Sequence, residues 1–267
     1  HVIFYKKYWR KMKQSLIDYT LHLADNALVL CHQNAAWCGH APNPELDIAL
    51  TNISLDLIGQ ARNFYQYAAQ MINENNPNEI PATEDRLAYL RDVIEFKNCL
   101  LVETPNGDWG QTLLRQFLFS NYQYFLYRQL VKSKDAQIAA IAEKSIKETT
   151  YHLRWSSEWV IRLGDGTVES HERMMHAVKE LWTFTGELFL PSTYEKKCLE
   201  AAVGADLNEL KNKWQEKTND IFSEATLTFP EKCFMQEGGK SGSHSENMLS
   251  LLTELQYMQR AYPGCEW

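Results

Sequence analysis

Four long stretches of this chain repeat apolar residues at alternating steps of three and four. That spacing constrains the fold more than any other feature, because it marks one buried face on each of four helices. In the second stretch the series is Leu46, Leu50, Ile53, Leu57, Gln60 and Phe64. Gln60 therefore points inward among leucines, and Asn63, three residues on, shares its side of the helix. The first stretch reads Ile17, Leu21, Asp25, Leu28, His32, which sets a carboxylate in the apolar stripe. The third reads Leu113, Phe117, Ser120, Tyr124, Tyr127, Val131 and offers only a hydroxyl at the equivalent level. The fourth supplies Ser145, Glu148, His152, Trp155 and Trp159, with Tyr151 three places after Glu148. At about 1.5 Å of rise per residue, the chain between Asp25 and Gln60, and between Ser120 and Glu148, can climb, turn and return to one height. The pattern predicts an all-α four-helix bundle with further helices toward the C-terminus.

Breakers and caps set the expected bounds. The first helix is placed over 16–37, stopped by Gly39, Pro42 and Pro44. A second begins near Glu45 and stops before Asn73, where a run rich in Asn and Pro is turn chemistry. Helical pieces over 84–94 and 97–101 lead to Asp108, which can cap the third long helix, reaching Val131. Asp135 caps the fourth, which ends at Gly164. Further helices are placed over 168–189, 207–227 and 245–261. Residues 1–11 read as an upstream or non-native extension and 12–267 as a single domain. The glycine-rich loop at 238–242 reads as a flexible hinge or interface loop, since no strand precedes it and it lacks the longer string of a phosphate cradle. Trp37, Trp155, Trp159, Trp182 and Trp214 read as core or interface anchors.

The inward polar residues decide what chemistry the bundle can carry. Di-iron carboxylate bundles take one Glu from each of two helices and a Glu-x-x-His from each of the other two. Here that set reads Asp25, Gln60 with Asn63, Ser120, and Glu148 with Tyr151 or His152. Amides are neither anionic nor basic, and two carboxylates with one imidazole do not neutralise two divalent ions, so the set predicts a site without metal. The bland alternative is that each inward polar residue is an unrelated core side chain with its own hydrogen bond. Wherever they sit, Asp25 and Glu148 need partners, and His152, Arg62, Arg154 or a backbone donor are the candidates.

Composition excludes other classes. With 27 Lys and Arg against 34 Asp and Glu, the net charge of -7 gives no general basic surface for nucleic acid or anionic lipid. No apolar run approaches the roughly 20 residues of a membrane helix. The six cysteines form no C-x-x-C pair and no secretory signal is visible, so free thiols and a cytoplasmic location are expected.

Several ordered motifs carry a family likeness. They are Trp37-Cys38-Gly39-His40-Ala41-Pro42, then Asn52 with Leu57-Ile58-Gly59-Gln60-Ala61-Arg62-Asn63, and Lys147-Glu148-x-x-Tyr151-His152-Leu153-Arg154. The ending adds Gly238-Gly239-Lys240-x-Gly242-x-His244-x-Glu246 and Leu255-Gln256-Tyr257-Met258-Gln259-Arg260. With these the chain resembles, over roughly 12–267, the structural subunits of bacterial ring-1,2-phenylacetyl-CoA epoxidases. The resemblance implies a ferritin-like fold whose own metal site has decayed. It also implies pairing with a homologous catalytic subunit that carries two irons, alongside other oxygenase subunits and a flavin and iron-sulfur reductase. The family's metal positions map onto Asp25, Gln60, Asn63, Ser120, Glu148 and Tyr151 or His152, so the resemblance implies no catalytic residue, metal or cofactor on this chain. Two rivals stand beside it. One is a working di-metal oxygenase built on Asp25, Glu148, His152 and a shifted Asp56 or His32; the other is a binding module for coenzyme A thioesters using Lys240.

Overall fold

A computed structural model of the protein describes residues 2–77 and 80–265, with side chains from residue 12 onward. The described residues form helices and loops with no strand, the all-α bundle that the periodicity predicts and consistent with the ferritin-like fold that the resemblance implies. Four long helices build the bundle: α1 (Val2–Ala35), α2 (Pro44–Asn75), α5 (Trp109–Leu130) and α6 (Ala136–Gly164). Between the pairs lie α3 (Glu84–Tyr89), a 3-10 turn at Val93–Glu95 and the single turn α4 (Leu100–Glu103). After them come α7 (Val168–Leu181), α8 (Thr193–Glu200), α9 (Leu207–Glu224) and α10 (Glu246–Ala261).

Asp108 and Asp135 cap where the sequence places them, accepting from the Gln111 and Ile138 amides, and the structure adds Asn43, which accepts from the Leu46 amide with Pro44 opening α2. Helix α5 is buried almost all round, with Arg115, Gln116, Asn121 and Gln123 enclosed beside its apolar residues. It lies against α6, and α7 and α9 cover its other flank. Asn121 of α5 satisfies its amide on the Trp214 carbonyl and the Thr218 hydroxyl, which seats α9. Helix α8 packs on α1, and α10 on α3.

Several boundaries differ from expectation. Helix α1 starts at Val2 rather than near 16, since no Gly or Pro interrupts the segment; the side chains of 1–11, read as an extension, lie outside the described residues. Helix α2 continues to Asn75, because Asn73 turns its side chain onto both backbone groups of Ala82 and closes the loop instead of ending the helix. The expected helix over 84–94 breaks after Tyr89, and the following turn is held by an Asp92/Glu95 capping box. The expected piece over 97–101 forms only from Leu100. Beyond Leu181 the chain tightens into 3-10 turns rather than staying α-helical. Helix α8 has no counterpart among the expected elements, although Ser192 and Glu195 form a capping box in the S-x-x-E spacing that signals a helix start.

The glycine loop at 238–242 is not a flexible hinge. Glu187 is buried and accepts from the amides of Gly238 and Lys240 with one oxygen and of Leu100 with the other. A Cβ on Gly239 would lie 2.3 Å from the Asn98 carbonyl oxygen, so glycine is what lets this loop seat on the 98–100 segment.

Candidate functional site

The bundle centre holds a short polar chain. The Gln60 amide donates to Glu148 at 2.9 Å, and its oxygen accepts from the Gln123 amide at 3.0 Å and the Tyr127 hydroxyl at 3.1 Å. Burial pushes the Tyr127 phenol well up, so it stays a protonated donor. Gln60 thus bonds three neighbours from α5 and α6. Next along the same seam, His152 is buried and its Nε2 lies 2.9 Å from Asp56, whose carboxylate is 36% exposed.

The other residues of the expected layer go elsewhere. Asp25 is buried and accepts from both guanidinium nitrogens of Arg91, the Tyr65 hydroxyl at 2.5 Å and the Lys97 amide at 2.8 Å. Burial alone would lower the Arg91 pKa, but the Asp25 carboxylate outweighs it and holds the guanidinium firmly protonated. Ser120 accepts from Gln116 at 2.7 Å, and Gln116 in turn accepts from Asn34, so the hydroxyl belongs to an α1–α5 contact. Asn63 is only half-buried and no hydrogen bond ties it to Gln60 or Glu148. Tyr151 is 37% exposed, its edge against the His152 ring. Of the residues expected in one inward polar layer, Gln60 and Glu148 meet, whereas Asp25, Ser120, Asn63 and Tyr151 lie with other partners or toward solvent. For Asp25 the cause is local competition: a guanidinium and a backbone amide win a buried carboxylate over side-chain amides.

The expected cations are corrected likewise. Arg62 is 68% exposed beside Glu84, and Arg154 lies over the exposed Tyr151 ring, so neither enters the bundle. Asp25 does take a backbone donor, from Lys97, but its main partner, Arg91, stands outside the four long helices. His32 is half-buried in a cleft with Glu254; burial lowers its pKa, with Glu254 pulling the other way. Lys240, a candidate for phosphate or thioester contact, is buried, with Nζ donating to Glu195 at 2.9 Å and to the carbonyls of Leu188 and Leu190. It has no reach to solvent for a ligand. Burial alone would raise the Glu195 pKa, but Lys240 outweighs it and brings the net value below the usual range.

Two iron ions need four carboxylates and two imidazoles converging between helices. One carboxylate, two amides and a phenol meet here, and among the described residues no three His, Cys, Asp or Glu side chains gather to hold a metal ion. The donor set does not fit a di-iron centre. Among the described residues no helix is long and apolar enough to cross a membrane, and the six cysteines are unpaired.

Sequence reasoning missed Gln123, Tyr65 and Arg91. Gln123 lies one place beside the α5 stripe, and a helix buried all round gives no face to read. Arg91 follows α3, where no periodicity points anywhere.

A curated relative from Escherichia coli (strain K12), one of the subunits of a 1,2-phenylacetyl-CoA epoxidase, is 44% identical over 252 residues, covering 94% of this chain and 99% of that protein. Residues 6–267 match the family described as Phenylacetic acid catabolic protein. The chain belongs to that family.

Proposed function

We propose that this chain is the structural, non-catalytic subunit of a phenylacetyl-CoA epoxidase in aerobic phenylacetate catabolism. It stabilises and orients a homologous subunit that carries the two irons, in a cytoplasmic assembly with other oxygenase subunits and a flavin and iron-sulfur reductase. The observation that carries this reading is Gln60. Its amide stands at mid-bundle and ties Glu148 into a hydrogen-bonded seam with Gln123 and Tyr127. A carboxylate so engaged holds two helices together; it does not stand free to bind a metal. The relative's designation as one subunit of an epoxidase supports a place in a multi-chain complex.

The rival di-metal reading gains one contact, the Asp56 to His152 pair, but needs Asp25 beside it, and Asp25 is held by Arg91. Iron analysis separates the two. Chain purified from iron-supplied cells is expected to carry far less than one iron per molecule and to leave phenylacetyl-CoA unoxidised, while restoring turnover when mixed with the di-iron subunit and reductase. Stoichiometric iron with reductase-driven epoxidation by this chain alone would overturn the proposal.

A further inference from the structure

The ring of His244 is enclosed between two oxygens. Its Nδ1 lies 2.8 Å from Glu103 Oε2 and its Nε2 lies 3.0 Å from the Phe96 carbonyl oxygen, and the His244 and Glu103 side chains are each 1% exposed. A carbonyl only accepts. The Glu103 carboxylate already accepts from the Asn98 amide at 3.0 Å and the Ser245 backbone amide at 2.7 Å, contacts that favour its ionised form. Neutral imidazole carries one N–H, so it serves only one of the two oxygens, whereas the imidazolium serves both. Whichever tautomer follows loss of the proton, a ring lone pair then faces an enclosed oxygen, and that oxygen loses the hydrogen bond from the ring.

This contact sits at the root of α10, a helix thinly fastened beyond it. Upstream, Gly238 and Lys240 are held by Glu187 and Glu195, and Gly242 then turns the chain in the left-handed region at φ 88°. Ser245, which precedes α10, makes no side-chain cap, and its amide goes to Glu103. Past that point α10 buries a single stripe, Met248, Leu252 and Gln256. Open clefts lie along two of its faces, about 720 Å³ against the end of α1 and about 570 Å³ against Asp92 and Val93. Its far end is tied through Gln256 and Arg260 to the Arg91 carbonyl, and through Arg260 to the exposed Asp92, an ion pair of the kind that contributes little.

We propose that α10 is a pH-released arm: protonated His244 latches it to Glu103 and the Phe96 carbonyl, and loss of that proton lets the residues after Gly242 swing off α3 while the bundle stays folded. The charged groups around the ring set the direction. Burial alone would lower its pKa, but Glu103 of α4 outweighs burial, and Asp25 of α1 acts in the same sense at longer range, so the net value is raised. Arg91, stacked on the Phe96 ring at 4.1 Å, is answered by Asp25. On the arm's own segment Lys240 is tied to Glu195, and Glu246 is exposed. The latch is therefore complete below the unfolded value, about 6.5, and is lost as pH rises through the raised folded value. His32, the other imidazole beside α10, has its pKa lowered by burial and stays neutral over that window, so it adds no step.

The test is amide hydrogen exchange of the full chain at about pH 6 and about pH 8.5, with each rate corrected for its intrinsic pH dependence. Protection over 246–261 is expected to fall about tenfold between the two, the weight of one hydrogen bond to a charged group, while the amides of α5 keep theirs. His244→Gln should remove the step, and His32→Gln should leave it in place. Equal protection of 246–261 at the two pH values in the unaltered chain would overturn the proposal, whatever the variants do. A matching fall in α5 would also overturn it, by making the change a loosening of the whole fold. So would a step that survives His244→Gln or is lost in His32→Gln, since another group would then be titrating.

Discussion

At mid-bundle a single carboxylate, Glu148, is half-buried and answered by the neutral amide of Gln60, whereas the flank of α1 that faces the 91–103 segment is crowded with buried charge. There Asp25 is held by Arg91, Glu195 by Lys240, Glu187 by three backbone amides, and Glu103 by His244, Asn98 and the Ser245 amide. The difference teaches where this chain concentrates its electrostatic commitments. The buried carboxylates of this flank are answered by cations or oriented N–H groups, and those donors come chiefly from the irregular strap over 91–100 and the C-terminal segment over 238–245. The bundle centre around Glu148 is instead filled with amides and a phenol.

The sharpest way to break the comparison is to remove a cation. Arg91→Met leaves Asp25 buried with only Tyr65 and the Lys97 amide. A buried pair broken from one side costs about 3–5 kcal/mol, and the denaturant midpoint should fall accordingly. A loss no larger than that of a surface substitution would show that Asp25 reaches water, and the contrast between the two regions would collapse. Glu148→Ala should cost less, about 1–3 kcal/mol, since it orphans the Gln60 amide without stranding a charge. An equal loss in the two variants would mean that the mid-bundle seam is as heavily charged in effect as the α1 flank.

The C-terminal loop adds a pH arm. Burial alone would lower the His244 pKa, but the hydrogen bond and charge of Glu103 outweigh it and bring the net value above the ordinary one. Folding therefore favours the imidazolium. Its contribution is fully present below the unfolded value, about 6.5, and is lost as pH rises through the raised folded value. The gap in unfolding midpoint between the native chain and His244→Gln should be widest near pH 6 and narrow toward pH 9. A gap constant over that window would show that His244 binds Glu103 as a neutral donor.

The legible part of the molecule is the part governed by local rules. Asp108 and Asp135 announce their helices by residue type and position, and the stripe through Leu46, Leu50, Ile53 and Leu57 puts Gln60 inside. Gln60 and Glu148 can be matched because both lie on long amphipathic helices. Asp25 cannot, because its answer is an arginine 66 residues away on a segment without period. Lys240 is misleading in sequence for a related reason: glycines suggest mobility, and only the tertiary fold shows Glu187 and Glu195 fastening that loop.

The smallest expected effect is the most pointed. Asn63 shares a side of α2 with Gln60, and in the sequence pattern it stands as that residue's equal. In the fold it is half-buried and bonded to nothing in the seam, while Gln60 carries three hydrogen bonds. Replacing Asn63 by Ala strands no donor and opens no cavity in the core, so stability should change by no more than about 0.5 kcal/mol, the range of surface substitutions. Gln60→Ala removes the acceptor of Gln123 and Tyr127 and the donor to Glu148 at once, and each buried group left unmet carries its own desolvation cost. Equal effects of the two would mean that Asn63 belongs to the seam after all and that the polar layer runs further along α2. A measurable loss for Asn63→Ala seen only in the assembled complex would instead place this side chain beneath a partner.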